Sequence, residues 1–141
     1  MTLRRSDHGS ATVEFIALSV LLLIPAIYLL ITISQLQAAG YAAVAASDQA
    51  AKALAYAGNA SQAESQAIST VYLTAEDYQI APETTTTAIQ CSDTPCSNPG
   101  TQVTVHVSID VPLPLMPTFM GSQTRIATME ATGYHVIGEF E

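Results

Sequence analysis

Nineteen consecutive residues, Phe15 to Ile33 (FIALSVLLLIPAIYLLITI), carry no charge. As a helix this run is close to the roughly 20 residues needed to cross about 30 Å of hydrocarbon. A buried core helix is the rival reading. A chain of 141 residues, however, has too little other apolar mass to wrap such a run on every side. The run is therefore expected to span a membrane. Arg4 and Arg5 precede it, and Lys52 and Arg125 are the only cations after it. The positive-inside rule then predicts a cytoplasmic N-terminus, with residues beyond about 34 on the far side. Pro25 lies inside the span, where it lacks an N–H and crowds the carbonyl of Leu21, so a kink or local unwinding is expected there.

Beyond the span polarity rises while helical character persists. Residues 38–57 contain eleven alanines in twenty, with no proline and one glycine. One helix from about Ser10 to Ala57 is predicted, roughly 70 Å long at 1.5 Å per residue, with about half of it projecting from the bilayer. Ala39, Ala43, Ser47 and Ala51 recur every four residues and form a face on which another backbone can approach closely. Close helix-to-helix packing is the implied use of that face, with packing of its lower part against this chain's own distal part as the rival reading.

Gly58-Asn59 is a stop signal, and Ser61 with Glu64 has the spacing of a capping box opening a second helix. Ala63, Ala67, Ile68, Val71, Tyr72 and Ala75 then mark an amphipathic helix of about four turns. The period changes after that. Residues 84–90 are rich in β-branched side chains, and residues 101–111 alternate strictly, with Val103, Val105, Val107, Ile109 and Val111 on one face. A third strand is expected at about 124–136, where Ala127, Met129, Ala131 and Gly133 offer a small-residue face to a crossing helix. The predicted fold class is α+β: a long transmembrane stem helix, a short second helix and a three-stranded antiparallel sheet.

The chemistry-bearing residues are sparse. Cys91 and Cys96 flank Ser-Asp-Thr-Pro at the expected tip between the first two strands, and a local disulfide is the favoured reading. Zinc would need two further ligands, and His106 has no HxH or second CxxC to join it. His8, His106 and His135 form no constellation. No G-x-S-x-G, P-loop or H-E-x-x-H string occurs, and Asp48 with Lys52 reads as a helix ion pair. Four Lys+Arg against 12 Asp+Glu argue against nucleic acid, whose phosphates need clustered cations. Neither catalysis nor a cofactor or metal is expected. The loop 112–121, PLPLMPTFMG, is apolar and interrupted by three prolines, so it folds over the core or meets a partner. Asn59-Ala60-Ser61 matches a glycosylation pattern that is short and frequent by chance.

The first residues carry a resemblance. A short leader containing Arg4 and Arg5 ends at Gly9; Ser10 to Glu14 follow, and then Phe15 opens the apolar run. Gly9, four residues and Glu14-Phe15 at the edge of a hydrophobic stem resemble the prepilin-peptidase site of type IV pilins and pseudopilins. The string GSATVEF, with Leu, Ile and a proline in the stem, is similar to the TadE-like proteins of Tad (Flp) pilus systems. The resemblance covers residues 9–57 and implies cleavage between Gly9 and Ser10, making Glu14 the fifth mature residue. Major Flp pilins are shorter and typically carry tyrosine where Phe15 stands, and TadG-like relatives have far larger outer domains. A minor pilin or pseudopilin is thus implied, with leader 1–9, stem 10–57 and outer head 58–141. Its implied partners are the prepilin peptidase, other pilins, Tad assembly-platform proteins and the lipid bilayer of the inner membrane. A single-pass anchor presenting a binding or adhesion module, without cleavage, is the competing reading. A secretory signal peptide fits less well, since Glu14 interrupts its basic region and the apolar core is long.

Overall fold

Alanine-rich and leucine-rich sequence without an interior glycine pair favours one uninterrupted helix, and the computed structural model contains it. The structure describes residues 10–57, 60–96, 98–114 and 124–138. Helix α1 runs Ser10–Ala55, 46 residues, or about 69 Å at 1.5 Å per residue. It passes unbroken through Pro25, so the unwinding expected there does not occur. One proline removes a single N–H from the ladder, and the helical hydrogen bonds on either side hold the register. The helix closes two residues before the expected Ala57. Tyr56 N–H still donates to the Lys52 carbonyl at 3.0 Å, while Ala57 N–H reaches only Leu54, at 3.4 Å, which tightens the last turn.

Helix α2, Ala60–Asp77, opens one residue ahead of Ser61, so Ser61 lies within the helix and not at the N-cap position expected from the sequence. Its buried stripe is Ala63, Ala67, Val71 and Ala75, with Thr74 beside it. Ile68 is half-buried and Tyr72 is exposed, so the apolar stripe is narrower than the sequence pattern suggests. The reason is geometric. Alanines on both α1 and α2 bring the axes close, and residues about 100° round from the contact line fall outside it.

A short 3₁₀ turn at Pro82–Thr84 leads into the sheet. Strands β1 (Thr85–Cys91), β2 (Gln102–Pro112) and β3 (Arg125–Val136) form an antiparallel meander in the order β1-β2-β3. Its alternation is the one read from sequence: Val103, Val105, Val107, Ile109 and Val111 are buried, while Gln102 and His106 between them are exposed. Register slips between Val111 and Pro112, where proline has no N–H to offer the ladder.

Both helices lie on one face of this sheet, giving two layers. The core joins Ala39, Ala42, Ala43, Ala46, Ala50, Ala51 and Leu54 of α1 to the α2 stripe and the β2 valines. Helix α1 crosses β2 and β3. Ala127, Met129 and Ala131 of β3 are half-buried beneath it, and Gly133 is buried. At Gly133 the approach is closest. A Cβ there would collide with the Ser47 carbonyl and stand 2.7 Å from the Asp48 nitrogen. Only glycine permits this backbone-to-backbone contact. The open sheet face is polar, with Thr86, Gln90, His106, Glu130 and Thr132 exposed.

Candidate membrane stem and processing site

The stem divides at about residue 35. From Ala11 to Ile33 no residue is buried, and Phe15 (70% exposed), Leu21, Leu22, Ile24 and Leu30 all stand free of the chain's other elements. A large apolar surface left uncovered over some 23 residues has no stable place in water. This helix is long and apolar enough to cross a membrane, with a mean hydropathy of 2.7 over its most apolar window. From Ala39 to Leu54 the same helix becomes the central element of the head.

The four small residues marked for close packing lie in the second part. Ala39, Ala43, Ser47 and Ala51 are each 2% exposed or less, and the surface covering them is this chain's own α2, β2 and β3. A neighbouring stem has no access to that face while the head is folded. Of the two uses open to it in the sequence, packing on the chain's own distal part is the one present. What α1 turns outward at this level is Tyr41, Val44 and the Asp48–Lys52 pair, whose Nζ–Oδ2 distance is 2.7 Å. The Asp48 carboxylate accepts from the Lys52 ammonium and raises its pKa.

At the other end of the stem, Ser10 is the first described residue of α1, and Glu14 lies one turn on, with Phe15 following. Glu14 and Phe15 are both exposed. Positions i and i+4 on a helix share a face, about 5–6 Å apart at Cβ. A charge at Ser10 would thus sit on the Glu14 side of the helix. Gly9 falls outside the described residues, as do His8, Arg4 and Arg5.

Cys91 and Cys96 form a disulfide, with Cα atoms 5.6 Å apart, and both pack against the margin of the core at the end of β1. Asn59 of the glycosylation pattern and residues 115–121 of the apolar loop also lie outside the described residues. The base of that loop is described: Leu113 N–H donates to the Thr124 carbonyl at 3.0 Å.

The remaining polar groups make separate local contacts. His106 Nδ1 and Thr132 Oγ1 are 2.8 Å apart on the open sheet face, and the His135 ring lies 5.3 Å from that of Tyr56. Asp110 is the best-engaged carboxylate. Its Oδ1 accepts from Thr128 Oγ1 at 2.7 Å and its Oδ2 from Arg125 Nη1 at 2.8 Å. The Thr128 hydroxyl above all, with Arg125 beside it, holds this carboxyl below its usual range against a smaller opposing effect of desolvation. This cluster joins residues 15 and 18 positions apart and has no sequence spacing that would announce it. Among the described residues no group of three or more His, Cys, Asp or Glu side chains converges as a metal site. A groove of about 250 Å³ opens between Gln35, Ala38 and Ala39 of α1, Tyr78 to Ala81 after α2, and Ile109 to Pro112 of β2.

The chain matches no protein-family model, no curated protein and no solved structure.

Proposed function

We propose that this protein is a TadE-like minor pilin or pseudopilin that takes part in assembly of a Tad-type pilus and acts by packing rather than by catalysis. The observation that carries the reading is the division of α1. Its apolar half is uncovered from Ala11 to Ile33, just beyond the Gly9 of a prepilin-peptidase-like string in the sequence, and its distal half is built into a small disulfide-bonded head. In this reading the leader 1–9 stays on the cytoplasmic side of the inner membrane, and the peptidase hydrolyses the Gly9–Ser10 bond. The new α-amino group then stands on the face of Glu14, four residues on.

That pairing gives Glu14 a purpose. An isolated carboxylate carried among apolar stems costs several kcal/mol, and a cationic amine in cis or from a neighbouring subunit offsets much of it. Stems pair with other pilins through residues 11–33, since the Ala39, Ala43, Ser47 and Ala51 face is already covered by the head. Assembly-platform proteins of the same system are the further partners of this reading.

The test is the N-terminus and intact mass of the protein from its native membrane, beside a Gly9→Ala variant. A wild-type chain beginning at Ser10 with an uncut variant is expected. An intact N-terminus in both would overturn the pilin reading and favour a single-pass anchor that presents the head as a binding module.

A further inference from the structure

The groove beside Gln35 lies at a height along α1 that simple arithmetic fixes. Hydrocarbon about 30 Å thick takes about 20 residues at 1.5 Å each, so a span opening at Phe15 ends near Ser34. The headgroup layer adds about 5–8 Å, which α1 crosses over the next four or five residues. Gln35, Ala38 and Ala39 fall within that interval, and they form one wall of the groove. A typical helix tilt of about 20° shortens these heights by only a few per cent.

Across the groove from this wall stand Tyr78, Gln79, Ile80 and Ala81 of the turn after α2, Glu83 and Thr84 before β1, and Ile109 to Pro112 at the end of β2. Tyr78 is 39% exposed, and Ile80, Pro112 and Leu113 are half-exposed. A tyrosine among aliphatic side chains at headgroup level is the composition of a membrane interface. The sequence from Val111 to Thr124 contains no charged residue, and its two described ends, Val111–Pro114 and Thr124, stand at this end of the sheet, tied by the Leu113–Thr124 hydrogen bond.

We propose that the head rests on the bilayer, with the groove rim at Tyr78, Ile80 and Pro112 and the adjoining Leu113 seated in the lipid headgroup layer, so that the protein contacts the membrane at a second place besides its span. Continuity with the span selects lipid as the occupant, because the groove begins two residues after Ile33. The charges at the rim select the kind of lipid. Glu83 and Asp110 line the groove and Arg125, just outside it, pairs with Asp110, which leaves one net negative charge, so the contact is apolar and interfacial and fits a zwitterionic surface such as phosphatidylethanolamine.

The chain contains no tryptophan, so single tryptophans report position without background. Full-length protein is reconstituted in phosphatidylethanolamine vesicles with a minor share of phosphatidylglycerol. Tyr78→Trp and Leu113→Trp probe the rim, Leu22→Trp the span, and Tyr56→Trp, some 33 Å beyond Ser34, the far end of the stem. Lipids brominated at shallow acyl positions are expected to quench the two rim probes strongly and to leave the Tyr56 probe unquenched. Aqueous iodide should do the reverse, and raising the phosphatidylglycerol share should not increase rim quenching. Rim probes as open to iodide as the Tyr56 probe, and untouched by brominated lipid, would overturn the proposal while the Leu22 probe still reports an inserted span. A Leu22 probe that deep bromines do not reach would remove the span itself, and the proposal with it. Two rim positions guard against one substitution disturbing the fold.

Discussion

Adding one methyl group at Gly133 should be among the most damaging small changes to the head. A Cβ at this position meets backbone only: the Ser47 carbonyl carbon and oxygen in direct collision, and the Asp48 nitrogen at 2.7 Å. An ordinary contact begins near 3.4 Å, so even the mildest of the three demands a retreat of 0.7 Å (3.4 minus 2.7), and the carbonyl demands more. No flexible side chain can give way. Helix α1 must lift from β3, and the lift opens the alanine contacts of Ala43, Ala46 and Ala50 on the same helix face. Overpacking of a core costs about 1–3 kcal/mol, and a backbone-to-backbone clash belongs at the upper end. For a head of about 100 residues, about 3 kcal/mol lowers Tm by roughly 10–20 °C.

Full-length Gly133→Ala in detergent is the sample, and near-ultraviolet circular dichroism of the tyrosines is the readout, because micelle-bound α1 stays helical and masks unfolding in the far ultraviolet. Gly138→Ala is the control, since a Cβ there has nothing within 4 Å. Gly40→Ala has equally open surroundings inside α1 and should raise stability by about 1 kcal/mol through helix propensity. A Gly133→Ala head that melts within a degree or two of wild type would refute the reasoning, since it would mean that α1 and β3 are not in backbone contact.

Three further outcomes follow from the same geometry. Ala43→Leu should destabilise the isolated monomer by about 1–3 kcal/mol in denaturant titration, because its side chain is buried in the chain's own head; an effect confined to self-association would contradict that burial. Replacing Cys91 and Cys96 together by serine releases a loop of six residues and should lower head stability by about 2 kcal/mol on the chain-entropy account, read as a shift in urea midpoint. Asp110 is held ionised by Thr128 and Arg125, so its stabilising contribution is complete above the ordinary carboxylate pKa of 3.8 and is lost as pH falls through its lower folded value. The stability gap between wild type and Asp110→Asn should therefore persist from pH 7 to about 4 and close only below it; a gap unchanged down to pH 2 would count against the cluster.

Much of the fold follows from short-range pattern. Period-2 alternation from Val103 to Val111, the β-branched run at 84–90 and the small-residue face from Ala127 to Gly133 place all three strands within one or two residues of their positions. Local chemistry also brings Cys91 to Cys96 and Asp48 to Lys52, pairs close enough in sequence for spacing to reveal them. The narrowness of the α2 stripe was not legible, since Ile68 and Tyr72 have the hydrophobicity of core residues and are set aside only by how near α1 lies. The Asp110 cluster was not legible either. Its members meet through strand pairing, where Asp110 faces Thr128 across the sheet.

The stem shows where the boundary falls. The uncharged run from Phe15 to Ile33 is a property of composition, and its need for an apolar surrounding holds whatever the rest of the chain does. The use of Ala39, Ala43, Ser47 and Ala51 is different. Small residues every four positions allow close approach without naming the partner, because every backbone can approach a face that lacks side-chain bulk. Only the tertiary structure supplies that partner, by turning the chain after Ala57 so that α2 and Gly133 of β3 close over the face.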